Sequence, residues 1–291
     1  MIVIADKPGQ LGNMLILFSH FIARGIESDF TVSNLAFDDY ADCFPTTKQD
    51  LFCRFPVRKS WLRPNGFLRK CLYSLSNFAV RLVSRLGGNL GLLRAITLRD
   101  WETEYPLNSS EFLDLVPGRF VFVRGWGFRD RETLKKHSDA IRDFFRPAEI
   151  NQRNIDELIV RARRDADVLI GIHIRHGIIH FDNTRKYFYS AKRYAEMMDE
   201  LVAMFPNQRV AFLICSDWPQ DRARFSRFKV TFGPGDLIED MYSFARCDYL
   251  IGAPSTFTMW ASFYGKVPLN FIRRPDQRQD MADFITMEDI L

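Results

Sequence analysis

The sequence is short of several things, and each shortage excludes something. Its five cysteines, Cys43, Cys53, Cys71, Cys215 and Cys247, are odd in number and contain no CxxC pair. That argues against a disulfide framework or a zinc site and for free thiols in a reducing compartment. No apolar run approaches the roughly 20 residues of a membrane-spanning helix. The opening MIVIADKPGQLGN lacks the basic start and long apolar core of a secretory leader. Repeats and low-complexity tracts are lacking too. Net charge is only +4 over 291 residues, so no global case for nucleic-acid binding follows. These exclusions predict a cytoplasmic protein. One shortage is local. From Leu51 to Arg99 there is no Asp or Glu, while Arg54, Arg58, Lys59, Arg63, Arg69, Lys70, Arg81, Arg85, Arg94 and Arg99 recur among apolar residues. Two readings stand side by side: a basic amphipathic helix on an anionic membrane face, or a helical insert whose arginines are merely solvated.

What is present predicts an α/β fold. Apolar residues make up 47% of the chain, enough for a sizeable core, and phenylalanine is abundant at 27. Met1 to Ala5 reads as a strand, DKPGQLGN as a glycine-containing turn, and MLILFSHFIARGI as a helix. GRFVFVRGWGF carries a strand from Arg119 to Val123 that ends in a glycine-rich turn, and RETLKKHSDAIRDFF is helical. After residue 148 strands and helices alternate. The strands are DVLIGIHIR, RVAFLICS, KVTF, DYLIGAP and PLNFI. The helices between them are SAKRYAEMMDELVAMF, a segment around WPQDRARF, DLIEDMYSFARC and STFTMWASFYG. Continuous apolar strands belong to parallel sheets covered on both faces. The alternation predicts a doubly wound domain over about 148–291, preceded by a less regular half over 1–147 with the basic insert at about 51–99.

In such a sheet, ligands bind beyond the carboxyl ends of the strands. His173 and Arg175 end one strand, Ser216 and Asp217 another, and Ser255 and Thr256 follow a third and open a helix. Arg175 offers a permanently charged planar fork suited to phosphate. A helix beginning at Ser255 and Thr256 adds unpaired N–H groups and a partial positive charge, although a plain N-cap explains the same residues. Asp217 suits a ribose or guanine edge, or caps a helix. Asp240 is expected at a surface or cap, Trp260 and Phe263 in the core, and His20 and His137 at helix surfaces or caps. PGQLGN is neither a full dinucleotide fingerprint nor a phosphate loop, and its Asn13 either faces a ligand or caps a helix. No cluster of His with carboxylates suggests a metal.

PGQLGNMLILFSHFIA, VFVRGWGFRDRETLKKHSDAIRDFF, IGIHIRHG, FLICSDWP and DLIEDMYSFARCDYLIGAPSTFTMWASFYG occur in the same order as the conserved segments of the α-1,2-fucosyltransferases of glycosyltransferase family 11, which they resemble. The resemblance implies a GT-B-like fold of two Rossmann-like doubly wound domains facing a cleft. It implies an inverting, metal-independent transferase with GDP-fucose as donor, no cofactor, and a glycan hydroxyl as acceptor, of surface-polysaccharide or O-antigen type. Carried over by position, Arg175 would grip the β-phosphate and His173 would flank the nucleotide. Asp217 would lie near the nucleotide, and Ser255, Thr256 and Phe257 would hold phosphates or base. Gly12 and Asn13 would face the sugar across the cleft. The family's HIRRGD reads HIRHGI here, so His176 replaces an arginine and Ile178 the acid. His176 and Asp182 are then the candidates for the proton-accepting role. Glycosyl transfer from another nucleotide sugar, or a degenerate relative that binds without transfer, are the alternatives. The basic segment would bring the enzyme to a lipid-linked acceptor at the inner membrane face, or act as a lid over the acceptor.

Overall fold

The computed structural model describes residues 1–176 and 187–291. The chain divides into two compact units, residues 1–148 with Leu291, and residues 149–290. In chain order the first runs β1 (Ile2–Ile4), α1 (Leu11–Ser28), β2 (Val32–Asn34), α2 (Pro45–Lys48), β3 (Arg54–Phe55), α3 (Gly66–Arg85), β4 (Asn89–Leu90), β5 (Leu93–Thr97), β6 (Tyr105–Pro106), α4 (Ser110–Leu115), β7 (Phe120–Arg124), β8 (Phe128–Arg129), α5 (Arg131–Lys136) and α6 (Ser138–Phe144). Its main sheet has the order β3-β2-β1-β7-β5-β4. The four inner strands are parallel and the two edge strands antiparallel.

Phenylalanine builds the core of this unit. Phe18 on α1 meets Phe144 and Phe145 edge-on at 5.5 and 5.6 Å, and Phe44 meets Phe145 at 5.5 Å. Edge-to-face rings fill volume with a favourable quadrupole geometry, which accounts for the abundance of one residue type. Three expectations are corrected here. His20 is fully buried rather than at a surface, and its Nδ1 accepts the Asp130 N–H at 3.0 Å. Burial pushes its pKa down to about 3, because a cation there would have no water around it. The helix expected over 131–145 is two helices, α5 and α6, broken at His137, whose Nε2 lies 2.8 Å from Glu27 Oε2.

The third correction concerns the basic segment, which is mixed in its roles. Asn65 caps α3 by accepting the Leu68 N–H. Arg69 is 2% exposed, paired with Asp42 at 2.7 Å and donating to the Thr47 and Lys48 carbonyls, so it is a structural residue and not a surface charge. Val80 and Val83 also face inward, while Phe67, Leu75, Phe78, Leu82 and Leu86 lie exposed. Those five fall within about 100° of arc at 3.6 residues per turn, so they form one stripe.

The second unit runs α7 (Glu149–Arg163), β9 (Val168–Ile174), α8 (Ala191–Ala203), β10 (Val210–Ser216), β11 (Val230–Phe232), α9 (Leu237–Phe244), β12 (Tyr249–Gly252), α10 (Thr256–Gly265) and β13 (Leu269–Phe271). Its five strands are all parallel, in the order β11-β10-β9-β12-β13. Every residue of the central strand β9 is buried, as a strand covered on both faces requires. Trp260 and Phe263 are fully buried core residues. The helix expected around WPQDRARF is only a 3-10 turn, Arg222–Phe225. Proline and two aspartates there favour turns over helix.

Candidate functional site

Parallel register brings the polar strand ends of the second unit together. His173 pairs with Cys215 on one side and Gly252 on the other, and Ile174 pairs with Ser216. Gly252 matters for its lack of a side chain: a Cβ there would lie 2.8 Å from the His173 Cβ. The His173 ring stacks on Phe257 at 5.0 Å and 25°, and Phe244 meets it edge-on at 6.1 Å. Its Nδ1 is buried with no hydrogen-bond partner among the described residues, which leaves one ring nitrogen for a ligand. Burial first, opposed by Asp217 and aided by Arg175, lowers the His173 pKa to about 4. The ring is therefore neutral at pH 7.

Arg175 lies just past β9, and its Nη1 donates to the Pro254 carbonyl at 3.4 Å. That contact puts the guanidinium beside the turn into α10. Ser255 is the N-cap of α10: its Oγ accepts the Phe257 N–H at 3.2 Å, and its carbonyl accepts from Thr258 Oγ1 at 3.0 Å. Thr256 is the first helical residue and is half-buried. A permanent cation and the positive end of a helix thus meet at one strand end, an arrangement suited to a phosphate-bearing anion.

His176 is held on three sides. Its backbone N–H donates to Asp217 Oδ1 at 2.8 Å. Its Nε2 faces the Tyr189 carbonyl at 2.7 Å, and its Nδ1 lies 3.0 Å from the Gln220 amide nitrogen. A carbonyl only accepts, so Nε2 carries the proton and Nδ1 accepts from Gln220. Neither nitrogen keeps a lone pair for a substrate proton, so the ring acts as a brace between chain segments. Gln220, which also reaches Ser216 Oγ and the Trp218 carbonyl, and Tyr189 gave no sequence signal.

Beside this brace, a cavity of about 360 Å³ opens at the ends of β10 and β11, lined among others by Ser216, Asp217, Trp218, Gln220, Phe232 and Asp240. Asp240 is buried, contrary to its expected surface or cap position. Burial pushes its pKa up to about 6, against the Gly235 N–H that reaches its Oδ1 at 3.4 Å.

The remaining expected residues lie elsewhere. Gly12 and Asn13 sit in the first turn of α1, in the first unit, and the Asn13 amide donates to the Pro8 carbonyl at 2.7 Å, closing the glycine turn. The cap of α1 is Gln10 rather than Asn13. Asp182 and Ile178 lie outside the described residues. Among the described residues no group of three or more His, Cys, Asp or Glu side chains could hold a metal ion. No helix among them is long and apolar enough to cross a membrane.

The family model described as Glycosyl transferase family 11 matches residues 94–268. Among solved structures, the chain is similar to a mutant of FUT1 from Arabidopsis thaliana in complex with GDP, with a TM-score of 0.63 at 14% identity over 98% of this chain and 74% of that one. It is also similar to the fucosyltransferase NodZ from Bradyrhizobium, with a TM-score of 0.55 at 15% identity over 95% and 96% of the two chains. A NodZ α-1,6-fucosyltransferase soaked with GDP-fucose gives 0.53 at 14% identity over 98% of each. These likenesses give the fold, which is of the GT-B type. No curated protein sequence matches the chain.

Proposed function

The chain belongs to glycosyl transferase family 11 and is a glycosyltransferase, and from that premise we propose that it transfers fucose from GDP-fucose to a hydroxyl of a glycan acceptor, with inversion and without a metal. The observation that carries the reading is Arg175 set against the Pro254 carbonyl at the start of α10. As the bond from the fucose anomeric carbon to the diphosphate breaks, negative charge grows on the leaving GDP. A fixed guanidinium and a helix N-terminus stabilise that charge more in the transition state than before it, which is where a rate gain arises. In this reading His173 flanks the nucleotide with its unpartnered Nδ1. Asp217 receives the ribose or guanine edge beside the 360 Å³ cavity, and Ser255, Thr256 and Phe257 line the phosphates. Gly12 and Asn13 serve the sugar from the first unit. The acceptor oxygen attacks the anomeric carbon and its proton passes to Asp182, with His176 as a positioning residue.

The test is calorimetric titration of GDP, GDP-fucose, GDP-mannose and UDP-sugars in EDTA, on wild type and Arg175→Ala. Binding of GDP and GDP-fucose that disappears in the variant supports the reading. Failure of every guanine nucleotide to bind would sink the donor assignment, and tighter binding of a UDP-sugar would transfer the reading to another donor. A second reading, a relative that binds without transfer, draws on the engaged nitrogens of His176 and on Ile178 in the acid's place. Turnover of GDP-fucose with any acceptor removes it.

For the acceptor, we infer a surface polysaccharide or O-antigen precursor met at the cytoplasmic membrane face. Support comes from the exposed stripe on α3, from Trp61 at 90% exposure, and from exposed Arg58, Lys59, Arg63 and Lys70, which have no ion pair among the described residues. Apolar and aromatic residues flanked by cations suit an anionic interface. Phe78→Ser with Leu82→Ser is expected to abolish co-sedimentation with phosphatidylglycerol vesicles at low salt. Undiminished co-sedimentation would refute the contact.

A further inference from the structure

The first unit holds a concentration of side-chain charge that the site described above does not use. A cavity of about 590 Å³ is lined by Asp6, Lys7, Arg81, Arg85, Arg99, Asp100, Trp101, Arg124 and Trp126, with the backbone between them. Asp6 and Lys7 follow β1, Arg99 to Trp101 follow β5, and Trp126 follows β7. These strands are adjacent and parallel, so the cavity sits beyond their carboxyl ends, the place where open α/β sheets bind ligands. Its volume suits a small ligand of a few rings.

The sequence builds this mouth deliberately. In the turn Gly125-Trp126-Gly127, a Cβ on Gly125 would lie 2.6 Å from the Leu98 carbonyl oxygen, and one on Gly127 1.8 Å from that of Thr103. Two glycines therefore let the segment after β5, Leu98 to Thr103, lie directly on the turn after β7. That approach sets Trp101 against Trp126, with ring centres 6.2 Å apart and planes at 33°. From the other side comes α3. The Asn77 amide donates to the Ala5 carbonyl at 3.0 Å and Ser84 Oγ lies 3.0 Å from Thr97 Oγ1, so the helix is pinned across the mouth and carries Arg81 and Arg85 to its rim.

The charges are unequal. Lys7 is satisfied by Asp38 and Asp39, each at 2.6 Å, and Arg124 Nε lies 3.6 Å from Asp6. The side chains of Arg81, Arg85 and Arg99 have no ion pair or hydrogen bond among the described residues. Arg81 and Arg85 stand four apart on one helix, where like charges repel. Against these three guanidiniums stands the Asp100 carboxylate, which accepts the Glu102 N–H at 3.0 Å, so the cavity keeps an excess of donors and positive charge that matches an anion of two charges. Trp101, 60% exposed, offers a flat apolar face to the C–H face of a sugar ring, while the Trp126 ring behind it is covered by the Arg129 guanidinium at 4.2 Å.

We propose that this cavity binds a saccharide that carries a phosphate or diphosphate, and that this is the acceptor. The acceptor role rests on the transferase reading above; the binding chemistry does not. Lipid-linked and free sugar phosphates share this chemistry.

The test is calorimetry at low salt, with saturating GDP to fill the donor site. The titrants are N-acetylglucosamine 1-phosphate and the neutral methyl N-acetylglucosaminide, against wild type and the double variant R81Q/R99Q. The expected result is a preference for the phosphorylated sugar of at least about tenfold, lost in the double variant, with GDP affinity unchanged. Unchanged GDP affinity shows that the second unit folds, and an unchanged urea midpoint shows that the first does. Equal binding of the two sugars, or a preference that survives in the variant, overturns the proposal. Inorganic pyrophosphate binding as tightly as the sugar phosphate would reduce the cavity to an anion site and overturn the saccharide. Phosphatidylglycerol vesicles as the only ligand sensitive to R81Q/R99Q would make it a headgroup site, which overturns the acceptor. If wild type fails to bind GDP, the donor reading falls alone, and the sugar preference is measured without nucleotide.

Discussion

The two units both end parallel strands in charged residues, yet they treat those residues differently. In the second unit the strand-end groups are held by protein. His176 is fixed by Tyr189, Gln220 and Asp217, and Arg175 reaches Pro254. In the first unit Arg81, Arg85 and Arg99 line their cavity without such partners. A preformed cradle suits a ligand that is always the same, since bonds made beforehand spare ordering when it binds. Unpaired cations suit an anion whose arrival completes the charge balance. The same contrast recurs along α3 alone, where Arg69 is buried in bonds and Arg81, three turns later, is not.

The difference between the units extends to their response to pH. Among the described residues each unit buries one neutral histidine, His20 with its pKa at about 3 and His173 at about 4. A lowered folded pKa means stability is complete above about 6.5 and is lost as pH falls, because only the unfolded chain takes the proton. The loss runs to about pH 3 for His20 and to about pH 4 for His173, each on the order of 3–5 kcal/mol. Denaturation curves from pH 7 to 4 should therefore be flatter in His20→Gln and in His173→Gln; parallel curves would contradict the assignment. Asp240 works in the opposite sense. Its raised pKa, about 6, means stability is complete below about 3.8 and lost as pH rises through 6, so Asp240→Asn should gain up to about 3 kcal/mol at pH 8 and little at pH 4.

Next, Arg175→Ala should weaken GDP by about a hundredfold, or roughly 2.7 kcal/mol, as loss of charge-assisted bonds to a diphosphate implies. R81Q/R99Q should leave GDP affinity where it was. Arg69→Met should lower unfolding free energy by roughly 2 kcal/mol by stranding the buried Thr47 carbonyl and the part-buried Lys48 carbonyl, whereas Arg81→Gln should stay within about 0.5 kcal/mol. Urea midpoints measure both, and equal effects would erase the contrast along α3.

The sequence pattern disclosed the second unit well because its cause is simple. Buried parallel strands must be continuously apolar, so β9, β10 and β12 stand out, and the polar residues that end them stand out in turn. His173, Arg175, Asp217 and Ser255 were legible for that reason. Asp240, His20 and Arg69 were not, because a polar residue on a helix gives no sign of which face is buried until the neighbours are placed. Gln220 and Tyr189 were invisible for another reason: they come from turns, where no periodicity exists to mark an inward residue. The cavity of the first unit was half legible. Its arginines stood out in a stretch without acids, and the glycine turn at 125–127 was plain, but nothing in the chain order says that α3 returns across β5 and β7.

The brace at His176 has a consequence for how the site opens. Three contacts from separate stretches of chain end on one residue: the Asp217 carboxylate on its amide, the Tyr189 carbonyl on Nε2 and the Gln220 amide on Nδ1. Such a knot cannot loosen one strand at a time. Withdrawing the imidazole frees Gln220 and Tyr189 together, so His176, Tyr189 and Gln220 should open as one cooperative unit. In amide hydrogen exchange, His176, Tyr189 and Gln220 should share a single opening free energy below that of the strands beneath. A nucleotide bound against Asp217 would slow their exchange together.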